Sequence, residues 1–186
     1  MKKWSEIKQG IINKLFMDAE EVNSEHEKYA DKFAYFANEC LVNIANGVKP
    51  RIAVLEVTTR EDNVEQEMPD DFLSFADMVN YWNGITDPTI IYFGGKLILP
   101  KAGSYKIFYN ALWANIDEDS MLSDEELPID QSVLNCIPPY VASQIMSEDD
   151  VQKSTMLNNE YELMLIILDK NIMYQSNSFK STGGWY

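Results

Sequence analysis

TIIYFGGKLILPKAGSYKIFYNALW, residues 89–113, stands between segments of strongly helical pattern. Residues 89–93 and 96–99 are β-branched, apolar and aromatic. Gly94-Gly95 between them supplies the positive φ angles of a two-residue hairpin turn. Past Pro100 and Gly103, residues 104–113 alternate as a strand. Tyr105, Ile107 and Tyr109 fall on one face, with Lys106, Phe108 and Asn110 on the other. Both faces carry bulk near Phe108, so the sheet is expected to be covered over most of its area. A sheet unit inside a helical chain must be covered by flanking helices or by a neighbour, an arrangement commoner in assembly components than in small enzymes.

Working outward, residues 5–16 read as a helix: Ile7, Ile11 and Leu15 continue the helical spacing begun at Trp4, with Ser5 as the expected cap. Residues 18–27 are polar and acidic and read as a connection merging into a second helix. On that helix Tyr29, Phe33, Phe36, Ala37, Cys40, Leu41 and Ile44 share one face. Asn46-Gly47 is expected to end it through a left-handed glycine, and Pro50 prevents a restart. Residues 51–59 read as a strand and 60–67 as an acidic loop. Met68-Pro69-Asp70-Asp71-Phe72 resembles a helix entry, with Asp70 or Asp71 capping a short helix to about residue 81. Asn83-Gly84 and Asp87-Pro88 are turn signals.

On the C-terminal side, residues 115–126 form an acidic loop. Leu127-Pro128-Ile129-Asp130 then opens a helical region that Pro138-Pro139 should kink or divide. Ser147-Glu148-Asp149-Asp150 is an N-terminal capping signature. The helix it starts carries Leu157, Tyr161, Met164, Leu165 and Leu168 as one stripe to about Lys170, after which periodicity is lost. The pattern predicts an α+β chain in which an N-terminal helix pair and C-terminal helices form a bundle that carries an inserted antiparallel sheet unit. The expected divisions are 1–50, 51–114, 115–170 and a tail, 171–186.

At 186 residues, with 46% hydrophobic and 12% aromatic residues, the chain is long and apolar enough for a real core. No apolar run approaches the ~20 residues of a membrane helix, and Glu6 and Lys8 break the N-terminal pattern that a signal peptide requires. Cys40 and Cys136 have no motif spacing and read as two buried thiols of a reduced compartment, with the cytoplasm or a particle assembled there as the expected location. Net charge is −15, from 30 acidic and 15 basic residues, which argues against a groove for nucleic acid. Two uses remain open: an ordinary solvated surface, or a wall that DNA passes without sticking.

No motif for chemistry survives inspection. His26, the single histidine, lies in the polar run Glu25-His26-Glu27-Lys28 with no nucleophile presented to it. One His and two separated Cys do not make a zinc site. The acidic residues 117–126 fail the calcium-loop pattern, because Leu122 stands where glycine is needed and Pro128 where the last Glu is needed. Gly94-Gly95-Lys96 lacks the upstream glycine and following hydroxyl of a phosphate loop. No cofactor and no metal are implied, and no enzyme. The terminus is a different matter. Phe179, Gly183, Gly184, Trp185 and Tyr186 belong to a Ser/Thr/Gly-rich tether ending in two aromatics, which is disordered, folds back on its own core or plugs a cleft in a partner.

The order of these elements resembles the head-to-tail connector (adaptor) proteins of tailed bacteriophages. The likeness runs over residues 4–169. It rests on Ala37-Asn38-Glu39-Cys40-Leu41, the Pro-acidic-Phe entry at Met68–Phe72 and the strand Gly103-Ser104-Tyr105-Lys106-Ile107-Phe108-Tyr109. Leu127-Pro128-Ile129-Asp130 and Tyr140-Val141-Ala142-Ser143 complete it. The resemblance implies a non-enzymatic virion protein of the neck, assembled in the host cytoplasm. Its partners would be the portal, a second neck or tail protein and about twelve copies of itself in a ring. DNA would pass through at ejection without specific binding, no membrane would be involved, and the C-terminal segment would reach the portal. The alternatives are another virion structural protein, of the tail completion or baseplate kind, or a sheet module that binds sugar or protein. A binding module predicts an exposed aromatic row on one sheet face, whereas an adaptor buries Tyr105, Ile107 and Tyr109. An enzyme would need a pocket with converging carboxylates.

Overall fold

A computed structural model describes residues 2–16, 19–76, 80–86, 90–117 and 126–177, with the side chains of 19–28, 30 and 170–177 excepted. The chain is α+β and divides into two compact units. One comprises Met1–Lys49 with Trp113–Tyr186, the other Pro50–Leu112.

The first unit is helical: α1 (Trp4–Leu15), α2 (Ala19–Gly47), α3 (Gln131–Leu134), α4 (Ile137–Met146) and α5 (Val151–Asn177). Helix α4 is its hub, packing against α1, α2 and α5, and is apolar almost all round, as a helix enclosed by others must be. Trp4, Ile7, Ile11 and Leu15 from α1 and Phe33, Cys40 and Ile44 from α2 join Leu157, Tyr161 and Leu168 of α5 in one core. Trp113 donates its indole N–H to the Lys49 carbonyl at 2.9 Å, so the chain leaves and re-enters this unit at adjacent points.

Several expectations change here. Helix α1 begins at Trp4, so Ser5 lies inside its first turn. The Glu6 carboxylate, not Ser5, takes up an orphan donor, accepting from Lys3 N–H at 2.9 Å. Helix α2 begins at Ala19 and includes residues 19–27, which were expected as a connection. Acidic residues in a first helical turn are favoured by the helix dipole, so polarity there does not argue against a helix. Gly47 does end α2 but is not left-handed; Val48 and Lys49 N–H groups both reach the Ile44 carbonyl. Pro138-Pro139 falls in the first turn of α4, and the helical region is divided just before it at Asn135-Cys136. Asp150 caps α5, accepting from Lys153 N–H at 2.9 Å, and α5 runs past Lys170 to Asn177.

The second unit is a small sandwich. Its strands are β1 (Arg51–Thr59), β2 (Val64–Glu67), β3 (Phe72–Phe75), β4 (Tyr81–Trp82), β5 (Ile85–Thr86), β6 (Ile91–Phe93), β7 (Lys96–Leu99) and β8 (Gly103–Ala111). The first sheet has the order β1-β8-β4-β5, with β3 also on β8; the second has the order β2-β7-β6. All pairs are antiparallel, and β1 and β8 pair without a break from Arg51↔Ala111 to Thr59↔Gly103. Leu97 and Leu99 from one sheet meet Tyr105 and Ile107 from the other, with Leu55, Val57, Phe75 and Trp82 around them.

The Gly94-Gly95 hairpin is as expected, with φ 61° and 83°, and Asn83-Gly84 makes a second turn of the same kind at φ 46° and 78°. Asp87-Pro88 lies outside the described residues. Two segments differ. Residues 64–67, expected as loop, are β2; its charges sit on the outward positions Glu65 and Glu67, with Lys96 opposite. Residues 72–75, expected as helix, are β3. Asp71 is committed elsewhere: it accepts from the Tyr109 hydroxyl at 3.1 Å and pairs with the Arg51 guanidinium. Phe72 and Phe75 both lie against Tyr92, with ring centroids 5.4 and 5.2 Å away.

Two predictions follow from these contacts. Asp130 caps α3 by accepting from Ser132 N–H at 2.8 Å and pairs with Lys49 at 2.6 Å. The Lys49 hydrogen bond is the main reason its carboxyl titrates low, at about 2. Asp130→Ala should cost about 1 kcal/mol in urea unfolding at neutral pH. Because the folded pKa lies below the ordinary Asp value of ~3.9, that contribution is whole above about pH 4 and disappears as pH falls toward 2. Gly103 has φ 148°, and a Cβ there would lie 2.5 Å from Trp82 Nε1. Gly103→Ala should therefore lower stability by roughly 1–3 kcal/mol in the same assay.

Candidate functional site

Strand β8 is the central strand of the five-stranded sheet and sets its two faces. Its inward residues Tyr105, Ile107 and Tyr109 are buried, Tyr105 being only 2% exposed. The Tyr105 hydroxyl donates to the Lys101 carbonyl at 2.7 Å and accepts from the Lys101 N–H at 3.0 Å, so that row is spent on structure. The outward positions form an open surface instead of the covered one expected. Ile52 and Val54 on β1 are 51% and 41% exposed, beside Phe108 and Tyr81, whose rings meet edge-on at 6.4 Å. Next to this apolar stripe Lys106 pairs with Glu56 at 2.9 Å, and Thr58 and Ser104 hydroxyls are 3.1 Å apart. A shallow cavity of about 840 Å³ opens at that end, with Glu56, Thr58, Tyr81, Asn83, Ser104 and Lys106 in its lining. Its single carboxylate is already paired, so the cavity presents no converging carboxylates.

The second sheet is open too. Strand β6 exposes Ile91 at 57% and Phe93 at 80%, the latter beside the Gly94-Gly95 turn. Glu65, Glu67 and Lys96 lie on the same outward side by register, Lys96 pairing with Glu65 at 2.9 Å. The hydrogen bond to Glu65 and that carboxylate's charge raise the Lys96 ammonium above its usual range. In the helical unit, Met156, Leu163 and Ile167 of α5 are exposed at helical spacing.

Phe179, Gly183, Gly184, Trp185 and Tyr186 lie outside the described residues, as does most of the acidic segment 117–126. His26 falls within α2, and its side chain is not among those described. Among the described residues, no group of three or more His, Cys, Asp and Glu could hold a metal, and no helix is long and apolar enough to cross a membrane. No motif marks the outward apolar positions of β1 and β6 in the sequence; the alternation that sets Phe108 on the face opposite Tyr105 reaches Val54 only through the β1–β8 register.

Both cysteines are free and buried. The Cys40 thiol donates to the Cys136 carbonyl at 3.9 Å and sits among Tyr161 and Tyr140, whose rings are 4.9 Å apart. Burial, more than any neighbour, pushes Cys40 well above the ordinary thiol range and Cys136 up to about 11.

No protein-family model matches the chain, and no curated protein is significantly similar to it.

Neither thiol presents a thiolate at neutral pH, so alkylation by iodoacetamide at pH 8 should be absent from the native protein and reach two equivalents in urea. Rapid modification of the native form would contradict the packing around α4.

Proposed function

We propose that this chain is a head-to-tail connector of a tailed-bacteriophage neck, which binds the portal as a ring and extends the DNA channel toward the tail. The observation that carries the reading is the order of elements: α1 and α2, then the sandwich of residues 50–112, then α3, α4 and α5. In this reading the helices form the bundle, and the sandwich is its antiparallel insertion. Burial of Tyr105, Ile107 and Tyr109 supports an adaptor over a module that would display them. A net charge of −15 suits a channel that DNA passes without adhering. The role is structural and non-enzymatic. The segment holding Phe179, Gly183, Gly184, Trp185 and Tyr186 anchors to the portal, and a second neck or tail protein takes the other end of the ring.

A second reading, a module that binds sugar or protein, is favoured by one observation: the 840 Å³ cavity with the Tyr81 ring and an array of hydroxyl and amide groups in its wall.

The test is reconstitution with the portal protein encoded in the same genome. Dilute chain should be monomeric alone and form closed rings on the portal, visible by negative-stain electron microscopy. Deleting residues 177–186 should weaken capture tenfold or more, as loss of an aromatic anchor does. Unchanged capture by the truncated chain removes the tail's role. The absence of any ring removes the connector reading.

A further inference from the structure

A sandwich standing alone in water places polar residues at the outward positions of its strands. This one carries apolar stripes on both outward faces. Ile52, Val54, Phe108 and Tyr81 mark the five-stranded sheet, and Ile91 and Phe93 mark the three-stranded one. The faces look in opposite directions from a shared core, so neither can cover the other within one chain. One apolar patch is enough for a two-fold dimer. Two different patches on opposite sides are what a head-to-tail contact requires.

The charges agree. Beside each stripe lies one acid–base pair, Glu56 with Lys106 on the first face and Glu65 with Lys96 on the second, both at 2.9 Å. The second face also carries Glu67, leaving it one carboxylate in excess. Laid against each other, the two faces set Lys106, already paired with Glu56, near the extra carboxylate Glu67, which it can share. A basic partner would leave Lys96 and Lys106 unmatched, and an acidic one would meet Glu56, Glu65 and Glu67. These near-neutral faces belong to a chain of net charge −15, so contact through them avoids the repulsion that other surfaces of two copies would impose.

We propose that the occupant of each face is a second copy of this chain: the outward face of the five-stranded sheet receives the Ile91–Phe93 face of the next copy. This deepens the ring reading and rests on it only for closure, since a heterologous contact otherwise propagates as an open chain. A stable interface buries ~1,200–2,000 Å², and a contact centred on these few side chains is expected to be weak and concentration-dependent in free solution. A portal that gathers copies raises their effective concentration.

The experiment uses full-length Phe93→Ser and Val54→Lys, each disabling one exposed face, with circular dichroism to verify the fold. Ile91→Ser and Ile52→Thr replace either if it misfolds. In sedimentation velocity at rising concentration, wild type should associate and each variant alone should stay monomeric. An equimolar mixture should form a 1:1 dimer and stop, because each partner keeps one working face. Association of either variant to the wild-type extent, a mixture that stays monomeric, or a wild type monomeric throughout overturns the stacking. The two ideas fail separately. Rings that form on a portal equally well with both variants sink the stacking and spare the connector. A dimerising mixture with no portal ring does the reverse.

Discussion

The antiparallel ladder between β1 and β8 is the contact on which the second unit depends. It joins residues 51–59 to residues 103–111, so everything between them is a loop that this ladder closes. Closing a loop of that length has an entropic cost that grows only slowly with its size, and a nine-residue ladder with a buried face offsets it. The rest of the five-stranded sheet is then built on β8, directly or through β4. Strands β3 and β4 share its far edge, and Leu97 and Leu99 of β7 cover its inward Tyr105 and Ile107. Arg51 secures the open end of the ladder: its Nε donates to the Leu112 carbonyl, and its guanidinium pairs with Asp71.

The helical unit rests on a different constraint, the enclosure of α4. Pro138 and Pro139 lack N–H donors, and the first turn of a helix is where donors have no intrahelical partner anyway. The pair therefore starts a helix instead of disrupting one. Small and apolar residues along α4 then admit three neighbours at once, with Gly10 of α1 close to Pro138. Tyr140, Tyr161 and Cys40 meet in the same core, and their polar atoms are satisfied: Asn43 donates to the Tyr140 hydroxyl and Cys40 to a carbonyl. That packing leaves the cysteines inert and turns the functional question outward, to surfaces.

Elements whose local chemistry matches their environment were legible from residues alone. Gly94-Gly95 reads as a turn because its φ values are costly for other residues, and β1 and β8 read as strands because they are β-branched, aromatic and alternating. Where a side chain is claimed by a distant partner, the local reading failed. Asp71 has the position of a helix cap, yet Arg51 and Tyr109 hold it in a sheet. Val64–Glu67 has the charge of a loop, yet both of its carboxylates point to solvent from an edge strand. The candidate surface divides in the same way. Alternation placed Tyr105, Ile107 and Tyr109 together, but nothing local says which face of the sheet would be covered.

From residues alone came the α+β composition, the hairpin, the long strands and the helices with strong apolar faces, all set by backbone preference and periodicity over a few neighbours. Tertiary structure alone decided that residues 72–75 would be strand, that the second sheet would cover Tyr105 and Ile107, and that Val54 and Phe93 would remain exposed. Burial is a property of pairs of elements brought together across the chain. A strand's alternation defines two faces, and only the arrival of the second sheet chooses between them.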